Sequence, residues 1–172
     1  YILRERRKMN TMPEKPALVE TIVTTDMAKE IAKAYDTDLI EVLTGFKYIG
    51  EQIRLFEQEK THHFVFGLEE SYGCLAGTYA RDKDACVAVM LLCELAAFYK
   101  AEGKTLWDAM KEMYERYGFY KEGMSFVTLK GIDGAKEIKQ RMEEMRRKPK
   151  ESLGGHKVLA VRDYAEGTRK YL

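Results

Sequence analysis

At residues 66–73 an apolar run ends on FGLEESYG, which sets two adjacent carboxylates, Glu69 and Glu70, beside the hydroxyl of Ser71 and a glycine. Successive side chains at a strand end point to opposite sides, so the two glutamates do not form a dyad sharing one proton. One of them can face a cleft instead. An ionised carboxylate that accepts bonds from two vicinal hydroxyls is a natural sugar clamp, because charge-assisted hydrogen bonds are the stronger ones. Ser71 adds a donor and an acceptor. A second stretch, RDKDA at residues 81–85, places Arg81 and Lys83 just ahead of a long helical pattern. Two cations and the positive end of a helix can attract a phosphate. A third, TGFKYIG at residues 44–50, puts Thr44 and Gly45 between a strand and a helix, where open α/β sheets bind ligands.

Each stretch also has a plain reading. Glu69–Glu70–Ser71 fits a solvated strand end, Arg81 to Asp84 fits a self-paired surface cluster, and Thr44–Gly45 fits a tight turn. Their convergence on one edge of a small sheet favours a polyol or phosphosugar site over any single loop. No Walker loop and no G-x-G-x-x-G occurs, so a nucleotide site lacks support. His62 and His63 are adjacent and alternate in direction, His156 is remote, and no metal site is expected.

The elements that must position these residues follow from periodicity. Residues 1–9 read as the end of a helix, stopped by Pro13 and Pro16. ALVETIVT at 17–24, DLIEVLT at 38–44 and HHFVFGLE at 62–69 are short, β-branched or apolar runs and predict strands. Residues 27–35, 46–60, 84–103 and 106–118 predict helices, with Asp84 and Thr105 as N-caps. The helix at 84–103 is apolar all round and predicts burial, with Cys86 and Cys93 as part of a core stripe. Strand and helix alternate with short connections, which predicts an α/β layer fold with a largely parallel sheet. Beyond Gly118 the pattern changes to a possible strand at 119–131, a charged amphipathic helix and a short strand, KVLAVRDY, at 157–164. The expected division is 1–120 for the α/β domain and 121–172 for a linker and an incomplete further domain.

Composition excludes several classes. The chain has 172 residues, is 45% hydrophobic and 33% charged, and carries a net charge of +1. Such balance gives no case for a nucleic-acid or anionic-membrane partner. No apolar run nears the roughly 20 residues of a membrane span, and no signal peptide is visible. Three cysteines without a CxxC argue against a disulfide framework and for a reducing, cytoplasmic setting.

Taken together and in order, TGFKYIGE, FGLEESYG and RDKDA resemble the third domain of the phosphoglucomutase/phosphomannomutase (α-D-phosphohexomutase) family, in the form carried by bacterial phosphoglucomutases. The tail, SFVTLKGIDGAKEI through KVLAVRDY, is similar to the linker and opening of that family's fourth domain. The resemblance implies a three-layer α/β/α domain on a mostly parallel, mixed four-stranded sheet, followed by a partial α+β segment. It implies a full-length isomerase that interconverts hexose 1-phosphate and hexose 6-phosphate, glucose or mannose, through a bisphosphorylated intermediate. It also implies Mg2+ bound outside this chain, with hexose phosphate and the remaining domains of the same protein as partners. By position, Glu69 and Ser71 resemble the sugar-loop carboxylate and hydroxyl, Thr44 and Gly45 the turn lining the cleft, and Lys83 a substrate-facing lysine and candidate for acid/base help. Glu70 is expected to support the loop. Many members have Gly at Leu68, so the loop's fine shape differs from theirs. No phosphoserine loop and no aspartate-rich metal loop is found, so the chain alone is expected to be inactive. The alternative is a stand-alone sugar- or protein-binding module.

Overall fold

Strand β1 (Pro16–Thr21) carries the layout, with residues 17–21 all buried and a neighbouring strand on either side. The computed structural model describes residues 1–71 and 73–172; Tyr72, within FGLEESYG, lies outside the described residues. β1 pairs in parallel with β2 (Asp38–Val42) and with β3 (His63–Leu68), and β3 pairs antiparallel with β4 (Cys74–Ala76). The order β2-β1-β3-β4 is a mixed four-stranded sheet, as expected. Three residues of β4 follow almost at once on the 69–73 bend. That run is too short to show a period, which is why no pattern announced it.

Pairing of β1 with β3 changes register between Ala17 and Leu18, whose partners are Phe64 and Phe66, so Val65 is the extra residue of a bulge. Phe64 therefore joins one core, while Val65 and Phe66 both serve the other. On the first face, helix α3 (Phe46–Glu59) lays Phe46, Ile49, Ile53 and Phe56 against Ala17, Val19 and Phe64. On the second, α1 (Ile2–Lys8) and α2 (Met27–Ala34) bring Leu3 and Ala32 to Leu18 and Val65. These are the three layers.

Two more helices flank the second face. α4 (Ala85–Ala101) is N-capped by Asp84, whose Oδ1 accepts from the amides of Cys86 and Val87. α5 (Leu106–Tyr117) starts in a capping box, with Thr105 and Asp108 each bonding the other's backbone N–H. The expectation that α4 is buried is overturned: only Tyr99 is buried, and Val89, Met90, Cys86 and Cys93 are exposed. A helix apolar on every side has no preferred face, so its neighbours decide what it buries, and here they cover one side. Between α4, α5 and the sheet lies an apolar cavity of about 450 Å³, lined by Leu18, Phe66, Leu91, Leu95 and Met113 among others.

The described chain forms two compact units, Tyr1–Glu122 and Gly123–Leu172. The second holds α6 (Gly131–Arg147), a hairpin of β5 (Ser152–Leu153) with β6 (His156–Lys157), and a hairpin of β7 (Ala160–Asp163) with β8 (Thr168–Tyr171). Within it, Arg146 Nε donates to Asp163 Oδ2 at 2.5 Å. The strand expected at 119–131 is absent, and residues 118–130 form no regular element. Their β-branched content is low and no neighbouring strand offers them a ladder.

Ile53 on α3 is fully buried between helix and sheet. Ile53→Ala should lower the unfolding free energy by about 2–5 kcal/mol in urea titration. Val89→Ala, on the exposed side of α4, should change it by no more than about 0.5 kcal/mol.

Candidate functional site

Because β2, β1 and β3 run parallel, the loops at their C-terminal ends share one edge of the sheet. The loop after β2 holds Thr44, which is exposed, and Gly45, whose φ of 118° suits glycine and lets α3 start immediately. The loop after β3 holds Glu69 and Glu70, and its bend closes when the Glu69 amide donates to the Gly73 carbonyl at 2.8 Å. Ser71 is exposed at the bend.

The two glutamates have different partners. Glu70 Oε2 accepts from the hydroxyl of Thr21, at the end of β1, at 2.9 Å. Thr21 is itself fully buried and lies 2.9 Å from the Thr24 hydroxyl. Glu70 thus ties the β3 loop to the β1 loop. Glu69 turns instead to Lys83, whose ammonium donates to Glu69 Oε2 at 2.9 Å. The Glu69 side chain is 5% exposed and that of Lys83 49%, so a nearly buried carboxylate is neutralised by a cation that remains open to solvent. A carboxylate can accept about four hydrogen bonds, so one lysine leaves capacity for neighbouring hydroxyls.

Gly73 makes this contact possible. A Cβ there would lie 2.7 Å from Lys83 Cδ and 2.9 Å from Glu69 Oε2. The hydrogen bond to Glu69, with its negative charge, raises the pKa of Lys83 above the ordinary lysine value. Lys83 is therefore a firm donor at neutral pH. General-base work there needs a lowered lysine pKa, and this environment pushes the other way.

The structure therefore brings Glu69 and Lys83 into direct contact. It puts Thr44 and Gly45 on the same edge, with β1 between β2 and β3, roughly 10 Å from the β3 loop at the usual strand spacing. The charge cluster resolves into separate roles. Arg81 pairs with Glu57 of α3, Lys83 with Glu69, and Asp84 caps α4 while accepting from the Tyr79 hydroxyl at 2.7 Å, which pushes the Tyr79 pKa up to about 12. Thr21 and Glu57 act through contacts with distant elements, which no local stretch of sequence signals. The two histidines part company: His62 Nε2 lies 3.2 Å from Asp38 Oδ2, and His63 Nδ1 lies 2.6 Å from the Glu14 carbonyl. Among the described residues, no group of three or more His, Cys, Asp and Glu could hold a metal ion. The 450 Å³ cavity is lined by none of Thr44, Glu69, Ser71 and Lys83.

The sequence pattern described as "Phosphoglucomutase/phosphomannomutase, alpha/beta/alpha domain III" matches residues 1–117. This chain belongs to the phosphoglucomutase/phosphomannomutase family. It is 37% identical over 160 residues to a phosphoglucomutase of Staphylococcus haemolyticus (strain JCSC1435), covering 93% of this chain and 29% of that protein. It is 36% identical over 147 residues to a phosphoglucomutase of Staphylococcus aureus (strain bovine RF122 / ET3-1), covering 86% of this chain and 26% of that protein. A solved structure from Thermus thermophilus, assigned as a phosphomannomutase, shares the fold at a TM-score of 0.53 and 23% identity, over 69% of this chain and 24% of that one. The chain spans under a third of the length of these curated relatives. In this domain III member, the Glu69–Lys83 pair joins the loop that follows β3 to the loop that precedes α4.

The raised Lys83 pKa fixes a sign. Its contribution to stability is complete below the ordinary lysine value of 10.5 and fades as pH rises through the higher folded value. Glu69→Gln should therefore lower the Lys83 titration midpoint, read from its side-chain carbon shifts by NMR, and the stability gap between wild type and variant should close above pH 10.5. Gly73→Ala should lower the same midpoint by forcing the pair apart.

Proposed function

We propose that this chain is the sugar-recognition part of a phosphohexomutase that interconverts hexose 1-phosphate and hexose 6-phosphate, with glucose the first candidate and mannose the second. The observation that carries the reading is the nearly buried Glu69 carboxylate, matched to the Lys83 ammonium at the ligand-binding edge of a domain III sheet. In this reading Glu69 accepts hydrogen bonds from adjacent sugar hydroxyls, and Ser71 adds a further contact. Lys83 holds the carboxylate in place and offers a cation to the substrate. Thr44 and Gly45 line the same wall from the neighbouring loop.

A carboxylate and a hydroxyl grip similar diol edges in two orientations of a hexose. A reaction that passes through a bisphosphorylated intermediate, and must turn it end for end, requires such tolerance. Acid/base help from Lys83 would require it first to let go of Glu69. Phosphoryl transfer itself is mostly positioning and charge neutralisation by a metal, and in this reading the side chains at this rim supply positioning and a single ammonium. The phosphoryl-carrying serine and the magnesium site therefore belong elsewhere in the longer protein. Residues 121–172 are then a linker and the opening of a further domain. Among the described residues no helix is long and apolar enough to cross a membrane. Three cysteines without a CxxC suit a reducing setting, and on that ground we place the enzyme in the cytoplasm.

Three measurements test this. Titrating the chain with glucose 1-phosphate should move the NMR amide signals of Glu69, Ser71 and Lys83 before others; a response elsewhere, or none, would refute the assignment. The chain alone should give no measurable glucose 6-phosphate. In the full-length protein, Glu69→Ala should cut kcat/KM on the order of tenfold or more, a loss well beyond its effect on stability, as losing a charge-assisted bond to substrate implies.

A further inference from the structure

Lys83 does not reach Glu69 by the course of its own loop. Residues 77–84 include an irregular stretch between β4 and α4, exposed at Thr78, Tyr79, Arg81, Asp82 and Lys83. Such a stretch has many conformations open to it, and only a few aim Lys83 at the 69–73 bend. Two anchors select among them. One is at the end of the loop, where the Asp84 amide donates to the Cys74 carbonyl at 2.9 Å and the Asp84 side chain caps α4. The other is Arg81, and it is fastened to α3.

The Arg81 anchor has two parts, both on one face of α3. A Cβ on Gly50 would lie 2.5 Å from the Arg81 carbonyl oxygen, so the loop backbone rests directly on the bare helix at that point. Two turns further on, the Arg81 guanidinium meets the Glu57 carboxylate at 2.5 Å. Residues seven apart share a helix face, so Gly50 and Glu57 form a seat and a clasp for one residue. The same guanidinium donates back to the carbonyls of Thr78 at 2.7 Å and Ala80 at 3.2 Å, which gathers the loop around it. Arg81 and Lys83 are two residues apart, and their side chains diverge, one to α3 and the other to Glu69.

We infer that Arg81, seated on Gly50 and clasped by Glu57, is a positioning residue that sets Lys83 against Glu69. Its significance for hexose binding rests on the function proposed above; the positioning itself does not. This assigns the arginine of the charge cluster to the protein's own helix rather than to a substrate phosphate. It also gives α3 a second task beside its core contacts, because a shift of α3 along the sheet would move Lys83.

The test uses this chain and two readouts: the Lys83 titration midpoint by NMR, and affinity for glucose 1-phosphate. Arg81→Ala should lower the midpoint toward that of a free lysine and weaken affinity on the order of tenfold, with the melting temperature little changed because the side chain is exposed. Arg81→Lys, which keeps the charge facing Glu57, should recover part of both losses. Gly50→Ala should act like Arg81→Ala; should it fail to fold, the two Arg81 variants decide alone. If Arg81→Ala leaves the Lys83 midpoint unchanged, the inference is overturned, and a fall in affinity without a change in midpoint would make Arg81 a ligand of the phosphate instead. If the midpoint falls as expected but wild type shows no response to glucose 1-phosphate, the positioning stands and the hexose reading fails.

Discussion

A carboxylate that is almost entirely withdrawn from water needs a partner, because an unpaired buried charge costs several kcal/mol. Glu69 meets that demand with Lys83, an ammonium brought from the far side of β4. Much at the sheet's edge is arranged around this one contact. The 69–73 bend turns Glu69 inward, Gly73 leaves room for the lysine stem, and the loop ahead of α4 must hold its course to deliver the amine. The pair is also asymmetric. The acid is buried and the base is exposed, so solvent reaches the ammonium and hardly touches the carboxylate.

The parallel sheet supplies the setting. Three strands running the same way put three loops on one edge, and the Thr21–Glu70 bond ties the β1 and β3 loops together. The result is an open rim, and the large apolar cavity lies elsewhere, among Leu18, Phe66 and the flanking helices.

The identity of the strands was legible because β1, β2 and β3 are short apolar runs set between helical periods; that β3 pairs with β1 and not with β2 was not. The caps at Asp84 and Thr105 could also be read directly, since capping is a local interaction of a side chain with amides two or three residues away. Where the sequence misled, the cause was context. α4 has the composition of a core helix, yet most of its residues face solvent here. Periodicity reports which faces of a helix can be buried, and α4 offers all of them.

From the order of residues alone came the family, the alternating layers, and the pairing of a carboxylate with a hydroxyl at a strand end. These are properties of neighbours in the chain, where steric period and turn chemistry act over a few residues. Only the folded structure decided that Glu69 faces Lys83 while Glu70 faces Thr21, and that Arg81 belongs to Gly50 and Glu57. Those choices join residues 14 to 49 positions apart. The choice between partners there is made by the distance across a packed sheet and by the space a missing side chain leaves, and neither quantity is written in any local stretch of the chain.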